Sequence, residues 1–146
     1  MPDRSKPAQR ADFADFYRLQ TRWMDNDVYG HMNNAVHYTL FDTAINGWLV
    51  DRGLLDVQKS DSYGLVVETG CRYHAELAFP SWITAGLRVS KLGNSSVRYE
   101  IGLFTERSEH AAAEGFFVHV YVDRANHRPT RIDDARRAAL ATLQRD

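Results

Sequence analysis

The chain has 146 residues, 44% of them hydrophobic and 25% charged, with 18 Lys and Arg against 19 Asp and Glu. That length suits one domain spanning residues 1–146, and the composition excludes a disordered or fibrous chain. A formal net charge of -1 supplies no basic surface for nucleic acid, and no segment is apolar enough to cross a membrane. The lone Cys71 allows neither an internal disulfide nor a Cys-based zinc site, and the polar N-terminus carries no secretory signal. A cytoplasmic location is the expectation.

In chain order, residues 1–15 are expected as a loose arm or a short helix around Ala11–Asp15. Phe16–Arg22 reads as a first strand, because Phe, Tyr and Thr favour extended backbone. Trp23–Gly30, dense in Asp, Asn and Gly, reads as a loop. From Asn34 to about Asp51, Leu40, Phe41, Ala44, Ile45, Trp48 and Leu49 recur at helical spacing, so a long helix with one broad apolar face is expected. Asn34 is placed to cap it and Gly53 to stop it. Gly47 inside this helix costs about 1 kcal/mol relative to Ala, so burial against a sheet must offset it.

After Ser62 the period changes. Val67, Thr69, Cys71, Tyr73 and Ala75 alternate with polar residues, predicting a strand with one buried face. Trp82–Leu92 follows as a strand, Gly93 and Asn94 supply a turn, and Val97, Tyr99, Ile101 and Leu103 share one side of the next strand. A last strand runs through Phe116–Val122. Residues 130–146 carry a short helix, Asp133–Gln144, capped by Asp133 or Asp134. Successive strands with short turns pair antiparallel. The fold class is therefore α+β, a curved antiparallel sheet of about five strands wrapped on one long central helix. Apolar residues on the other sheet face imply a homodimer or homotetramer.

Asp27 lies in the Gly- and Asn-rich loop just before the helix. Unpaired backbone N–H groups at a helix start stabilise a nearby carboxylate, and they polarise a carbonyl oxygen that gains negative charge under attack. A carboxylate beside such donors suffices to hydrolyse an activated acyl group, with Asp27 as general base on water or as nucleophile. By spacing alone, an Asp here is more often an ordinary turn or cap residue.

The whole segment Asp25–Tyr38, DNDVYGHMNNAVHY, resembles the D-x-D-x-x-G-H-V-N-N-x-x-Y signature of hotdog-fold acyl-CoA thioesterases, in the 4-hydroxybenzoyl-CoA thioesterase-like family. RVSKLGNSSVRYEIGLF, Arg88–Phe104, resembles that family's paired central strands, so the likeness runs from Phe16 to Val122. The resemblance implies hydrolysis of acyl-CoA to a carboxylic acid and CoA, with no cofactor and no metal. It places the catalytic carboxylate on Asp27 and the carbonyl-polarising backbone N–H at or beside Asn34. Two positions depart from the signature: Met32 stands for Val, and His37 for a frequent Tyr.

Around this pair, His31 is expected to orient the loop or bond Asp27, and His37 to be a solvated or hydrogen-bonded helix residue that could touch the acyl pocket. Asp25, Asp27, His31 and His37 match no standard zinc spacing. Coenzyme A needs donors for its phosphates. Lys91, Ser95, Ser96 and Arg98 cluster around one turn for that role, with Arg72 and Arg88 as further candidates. Tyr38, Phe41, Trp48 and Tyr73 could line an acyl pocket between helix and neighbouring subunit, or be plain core. Glu68 is expected in solvent and Cys71 as a small apolar residue. The alternative to a hydrolase is a non-catalytic acyl-CoA-binding hotdog protein. A thioester hydratase is disfavoured, because Asp27 stands where that class resembles a His pattern.

Overall fold

The computed structural model describes residues 6–145. Five strands, β1 (Asp15–Gln20), β2 (Ser62–Tyr73), β3 (Trp82–Leu92), β4 (Ser96–Thr105) and β5 (Ala113–Asp123), form one antiparallel sheet in the order β1-β3-β4-β5-β2. Helix α1 (Val36–Asp51) lies across it, and a short helix α2 (Asp134–Ala141) closes the chain. The α+β reading, five strands against one long helix, agrees with this arrangement.

The core is the seam between α1 and the sheet. Phe41, Ala44, Ile45 and Trp48 meet Leu87, Val97, Tyr99, Ile101, Leu103 and Phe117, all buried. Packing here is close enough to require glycines. A Cβ at Gly115 would collide with the Phe41 ring, and one at Gly47 would come within 2.5 Å of the Tyr17 ring. Gly47 thus trades helix propensity for the approach of β1, which accounts for its place inside a long helix.

Several expectations need correction. Helix α1 starts two residues later than expected, and Ala35, not Asn34, occupies its cap position without a side-chain bond. The Asn33 side chain does the local work instead, accepting from the Ala35 N–H at 2.9 Å. Residues 1–5 of the expected arm lie outside the described residues. From Ala8 onward the arm is tied down: Ala8 N–H donates to Glu114, Arg10 donates to the carbonyls of Thr105 and Ser108, and Phe13 packs buried against Phe104. One 3-10 turn, Arg10–Asp12, stands where a helix around Ala11–Asp15 was expected.

The largest correction concerns β2. It begins at Ser62 and forms an edge of the sheet, with a bulge between Val66 and Glu68. Its expected buried face is not buried within the chain. Leu65, Val66, Val67 and Tyr73 are 43–60% exposed. Alternation read from sequence detects a strand that wants two sides, and here this chain alone fills neither completely. Strand β5 supplies the buried row instead: Ala113, Gly115, Phe117, His119 and Tyr121 face the helix.

Candidate active site

The segment Arg22–Ala35 is a closed loop built mainly from its own polar groups. Asp25, 1% exposed, accepts from the Arg22 N–H and from Nε and Nη2 of the same guanidinium. Its carbonyl accepts from the Asn33 N–H at 2.8 Å, which joins the loop's two ends. Asn26 braces the loop from outside, exchanging bonds with the carbonyl and N–H of Phe79. Met32 inserts into the core, and its N–H donates to the Leu77 carbonyl. Met32 in place of Val is therefore a core residue, as a packing change should be.

Asp27 sits within this frame, half-buried. Its N–H donates to the His31 carbonyl at 2.8 Å, and its Oδ1 accepts from the Tyr29 N–H at 2.8 Å and more distantly from the His31 N–H. Among the described residues Oδ2 has no donor. One oxygen fixes the carboxylate while the other remains free to act. The neighbours Trp23, Met24, Val28 and Tyr29 are 73–93% exposed, an apolar patch around a carboxylate.

At the helix start, Asn33 takes the N–H groups of both Ala35 and Val36. The Asn34 N–H meets no acceptor among the described residues. The Asn34 carbonyl, in the following peptide unit, accepts from the Tyr73 hydroxyl at 2.7 Å, so β2 ties down this residue. Desolvation, then the neighbouring Cys71, pushes the Tyr73 phenol up to about 12, which keeps it a donor.

His31, Met32, Asn34, His37, Tyr73 and Leu77 line a cavity of about 250 Å³. The expected site residues His31, Asn34 and His37 thus come together. His31 does not bond the Asp27 carboxylate with its ring. Its Nε2 lies 2.8 Å from Glu76, and the tie to Asp27 is through backbone. His37 is not solvated: it is 3% exposed and edge-on to Tyr73 at 4.7 Å, with Nδ1 unpartnered. Burial holds its pKa below the ordinary histidine value, against the opposing pull of the Asn33 and Asn34 carbonyls. Asp25, Asp27, His31 and His37 do not converge, because Asp25 is closed on Arg22 and His31 on Glu76.

The residues expected to hold phosphates divide. Lys91, Ser95 and Ser96 lie at the β3–β4 turn, where Ser95 and Ser96 carbonyls accept from Tyr121 and Gly93. The Asp27 loop is anchored at the other end of β3, through Thr21 on Ser81. Ten residues of strand separate the two ends, roughly 33 Å at 3.3 Å per residue. Within one chain these three do not meet Asp27. Arg98 instead joins Arg72 and Arg88 in a groove of about 680 Å³ on the outer sheet face, against Glu100 and Glu114. Of the candidate acyl-pocket aromatics, Phe41 and Trp48 are core, Trp48 donating to Asp15, and Tyr38 packs on Phe41. Only Tyr73 reaches the cavity. Glu68 is exposed, and burial raises the half-buried Cys71 thiol above its ordinary pKa.

Sequence reasoning missed Asp25 as the clamp, Tyr73 as the brace of Asn34, and Glu76 and His74 in the cavity wall. Each depends on a fold contact, except Asp25, whose Arg at three residues' distance was a readable signal.

Comparison with known proteins places this geometry. Residues 21–140 match the thioesterase-like superfamily. The PA5185 protein of Pseudomonas aeruginosa strain PAO1 is 50% identical over 95% of this chain and 96% of its own, with a TM-score of 0.91. Slr0204, a 1,4-dihydroxy-2-naphthoyl-CoA thioesterase from Synechocystis, shares the fold at 15% identity, covering 86% of this chain and 94% of its own, with a TM-score of 0.77. BH1999, a gentisyl-coenzyme A thioesterase, does so at 20% identity, covering 86% and 99%, with a TM-score of 0.76. A comparison with curated proteins finds no match. With the superfamily match spanning most of the chain and the sheet wrapped on its central helix, this protein belongs to the thioesterase-like superfamily and has the hotdog fold.

Proposed function

We propose that this protein hydrolyses acyl-CoA thioesters to a free carboxylic acid and CoA, with Asp27 as the catalytic carboxylate. The observation that carries the reading is the pairing, in one braced loop, of a carboxylate oxygen without a donor and an Asn34 N–H without an acceptor. The thioester carbonyl oxygen accepts from that N–H, which stabilises the charge developing during attack. Asp27 Oδ2 either takes a proton from water, whose oxygen adds to the carbonyl carbon, or adds to that carbon itself as a mixed anhydride that water then opens. In the first route the C–S bond breaks and the sulfur takes the proton that Asp27 drew from water; in the second the sulfur leaves as a thiolate and is protonated when water, opening the anhydride, gives up its proton. CoA thioesters are the substrates named for Slr0204 and BH1999, which supports the class without fixing the acyl group.

The working form is a homodimer or homotetramer. The β2 edge, with Leu65, Val66 and Val67 exposed, and the exposed Trp23, Met24, Val28 and Tyr29 are apolar surfaces that a neighbouring subunit would cover. The acyl group then lies between α1 and that subunit. The outer groove with Arg72, Arg88 and Arg98 suits the nucleotide phosphates, since three guanidiniums there face two carboxylates. No helix among the described residues is long and apolar enough to cross a membrane.

Asp27→Asn tests the proposal. The variant should keep the wild-type melting temperature and lose at least about 100-fold in kcat across short, long and aromatic acyl-CoAs, measured by release of free thiol. Full activity in Asp27→Asn would remove the carboxylate from the mechanism.

A further inference from the structure

Arg72 and Tyr73 are successive residues at the end of β2, so their side chains point to opposite faces of the sheet. Tyr73 braces Asn34 and lines the cavity of about 250 Å³, whereas Arg72 lines the outer groove of about 680 Å³. The end of one strand therefore borders both spaces. The residues after it join them. The N–H groups of His74 and Ala75 both donate to the Ala112 carbonyl, at 2.8 and 2.9 Å. The His74 ring stands in the cavity wall, and its Nε2 donates to Glu114 Oε2 at 2.7 Å. Glu114 in turn lines the groove.

Glu114 has two kinds of partner. Its Oε2 takes His74 and also the Ala8 N–H at 3.1 Å, and its side chain is only 13% exposed. On the groove side, Arg72 stands directly opposite in the β2–β5 register, with Nη2 3.9 Å from Oε1. That separation is beyond hydrogen-bond distance, and the half-exposed Arg72 guanidinium makes no hydrogen bond among the described residues. Arg88, by contrast, is held by Glu100 at 2.9 Å and by the Asp12 carbonyl. A phosphate in the groove thus meets, in Arg72, a guanidinium only loosely matched by a carboxylate. Drawing Arg72 to the phosphate leaves Glu114 to His74 and the Ala8 N–H, which firms the strand end that braces Asn34.

We propose that Glu114 is a positioning residue that couples nucleotide binding in the outer groove to the Asn34 end of the cavity. This rests on the hydrolytic reading of the site. The phosphates of the CoA nucleotide take Arg72, Glu114 holds His74 and the end of β2, and Tyr73 holds Asn34. Binding energy from the nucleotide end is thereby used at the reacting carbonyl, which raises kcat as well as affinity.

The first test gives the full-length protein 3′-phospho-ADP, the nucleotide end of CoA without its thiol, and reads amide hydrogen exchange by mass spectrometry. Exchange at residues 31–36 and 73–76 should slow at least about threefold in the wild type. In Glu114→Gln, calorimetry should still detect nucleotide binding, but the slowing should vanish. His74→Phe, a second variant with an intact ring, should behave likewise. The second test is thiol release. The wild type should turn over octanoyl-CoA at least about tenfold faster in kcat than octanoyl-N-acetylcysteamine, and added 3′-phospho-ADP should speed the truncated substrate at least about fivefold. Both ratios should fall below about two in Glu114→Gln and His74→Phe. The proposal is overturned if the nucleotide does not bind, if it binds without slowing exchange at residues 31–36, or if Glu114→Gln is activated as much as the wild type. Absence of thiol release from octanoyl-CoA, with the exchange response intact, would leave the coupling standing and remove the hydrolytic reading alone.

Discussion

The Tyr73 hydroxyl donates to the Asn34 carbonyl across 2.7 Å, linking the far end of strand β2 to the residue whose N–H, on the other side of its Cα, is proposed to face the substrate carbonyl. A sheet residue thereby restrains the residue that carries the proposed carbonyl-polarising N–H, ahead of the first helical turn and outside its hydrogen-bond ladder. Tyr73 is a positioning residue in this arrangement. Tyr73→Phe should lower kcat about five- to tenfold with KM nearly unchanged, since one neutral hydrogen bond contributes about 1 kcal/mol. Steady-state kinetics and a melting curve within a few degrees of wild type would check it; an unchanged kcat removes Tyr73 from the mechanism.

Gly115 lies beneath the Phe41 ring, which is fully buried against Phe117 and Tyr38. Gly115→Ala should therefore destabilise the protein by about 1–3 kcal/mol, even though Ala is the better strand residue by entropy. Denaturant melts at pH 7 measure this directly.

His119 gives the fold a pH dependence. Its pKa is about 4 in the folded chain, below the ordinary value of 6.5. Between those values the unfolded chain binds the extra proton, so stability is complete above pH 6.5 and is lost as pH falls toward 4. Buried His37, also lowered, acts in the same direction. Urea midpoints should decline from pH 7 to pH 5, with a slope for each histidine approaching about 1.4 kcal/mol per pH unit. His119→Phe should flatten that decline, and an equally steep decline in the variant would assign it elsewhere.

Val67, at the β2 bulge and 60% exposed, is the natural place to block edge-to-edge pairing. Val67→Lys should shift the protein to monomer in light scattering, because a lysine on an edge strand opposes pairing. A variant that keeps the wild-type mass would locate the subunit contact away from this edge.

The helix and β4 were legible because each carries an unambiguous period, and β1 because Phe, Tyr and Thr favour extended backbone. Leu40, Phe41, Ala44 and Ile45 follow one turn rule, and Val97, Tyr99, Ile101 and Leu103 another. Strand β2 was legible as a strand but not as an edge, since Val67 and Leu65 look the same in sequence whether covered by this chain or by another. Asp27 was recognisable from a motif. Its free Oδ2 was not, nor was the turn of His31 toward Glu76, 45 residues away. Asn33 and Asn34 illustrate the finer limit. Adjacent identical residues cannot be told apart by propensity, yet one side chain closes the turn and the other backbone carries the open N–H.

The placement of β2 also sets an order of assembly. Strands β3, β4 and β5 are joined by short turns and pair with their neighbours in sequence. Strand β2 must wait for β5, because Ser62 pairs with Asp123 and Tyr73 with Ala113 across a long stretch of chain. Local contacts form sooner than distant ones. The β3–β4–β5 meander is thus the expected folding nucleus, and its outer strand β5 remains an open template until β2 arrives. During that interval a β2 from another molecule competes for the same place, so refolding yield should fall as protein concentration rises.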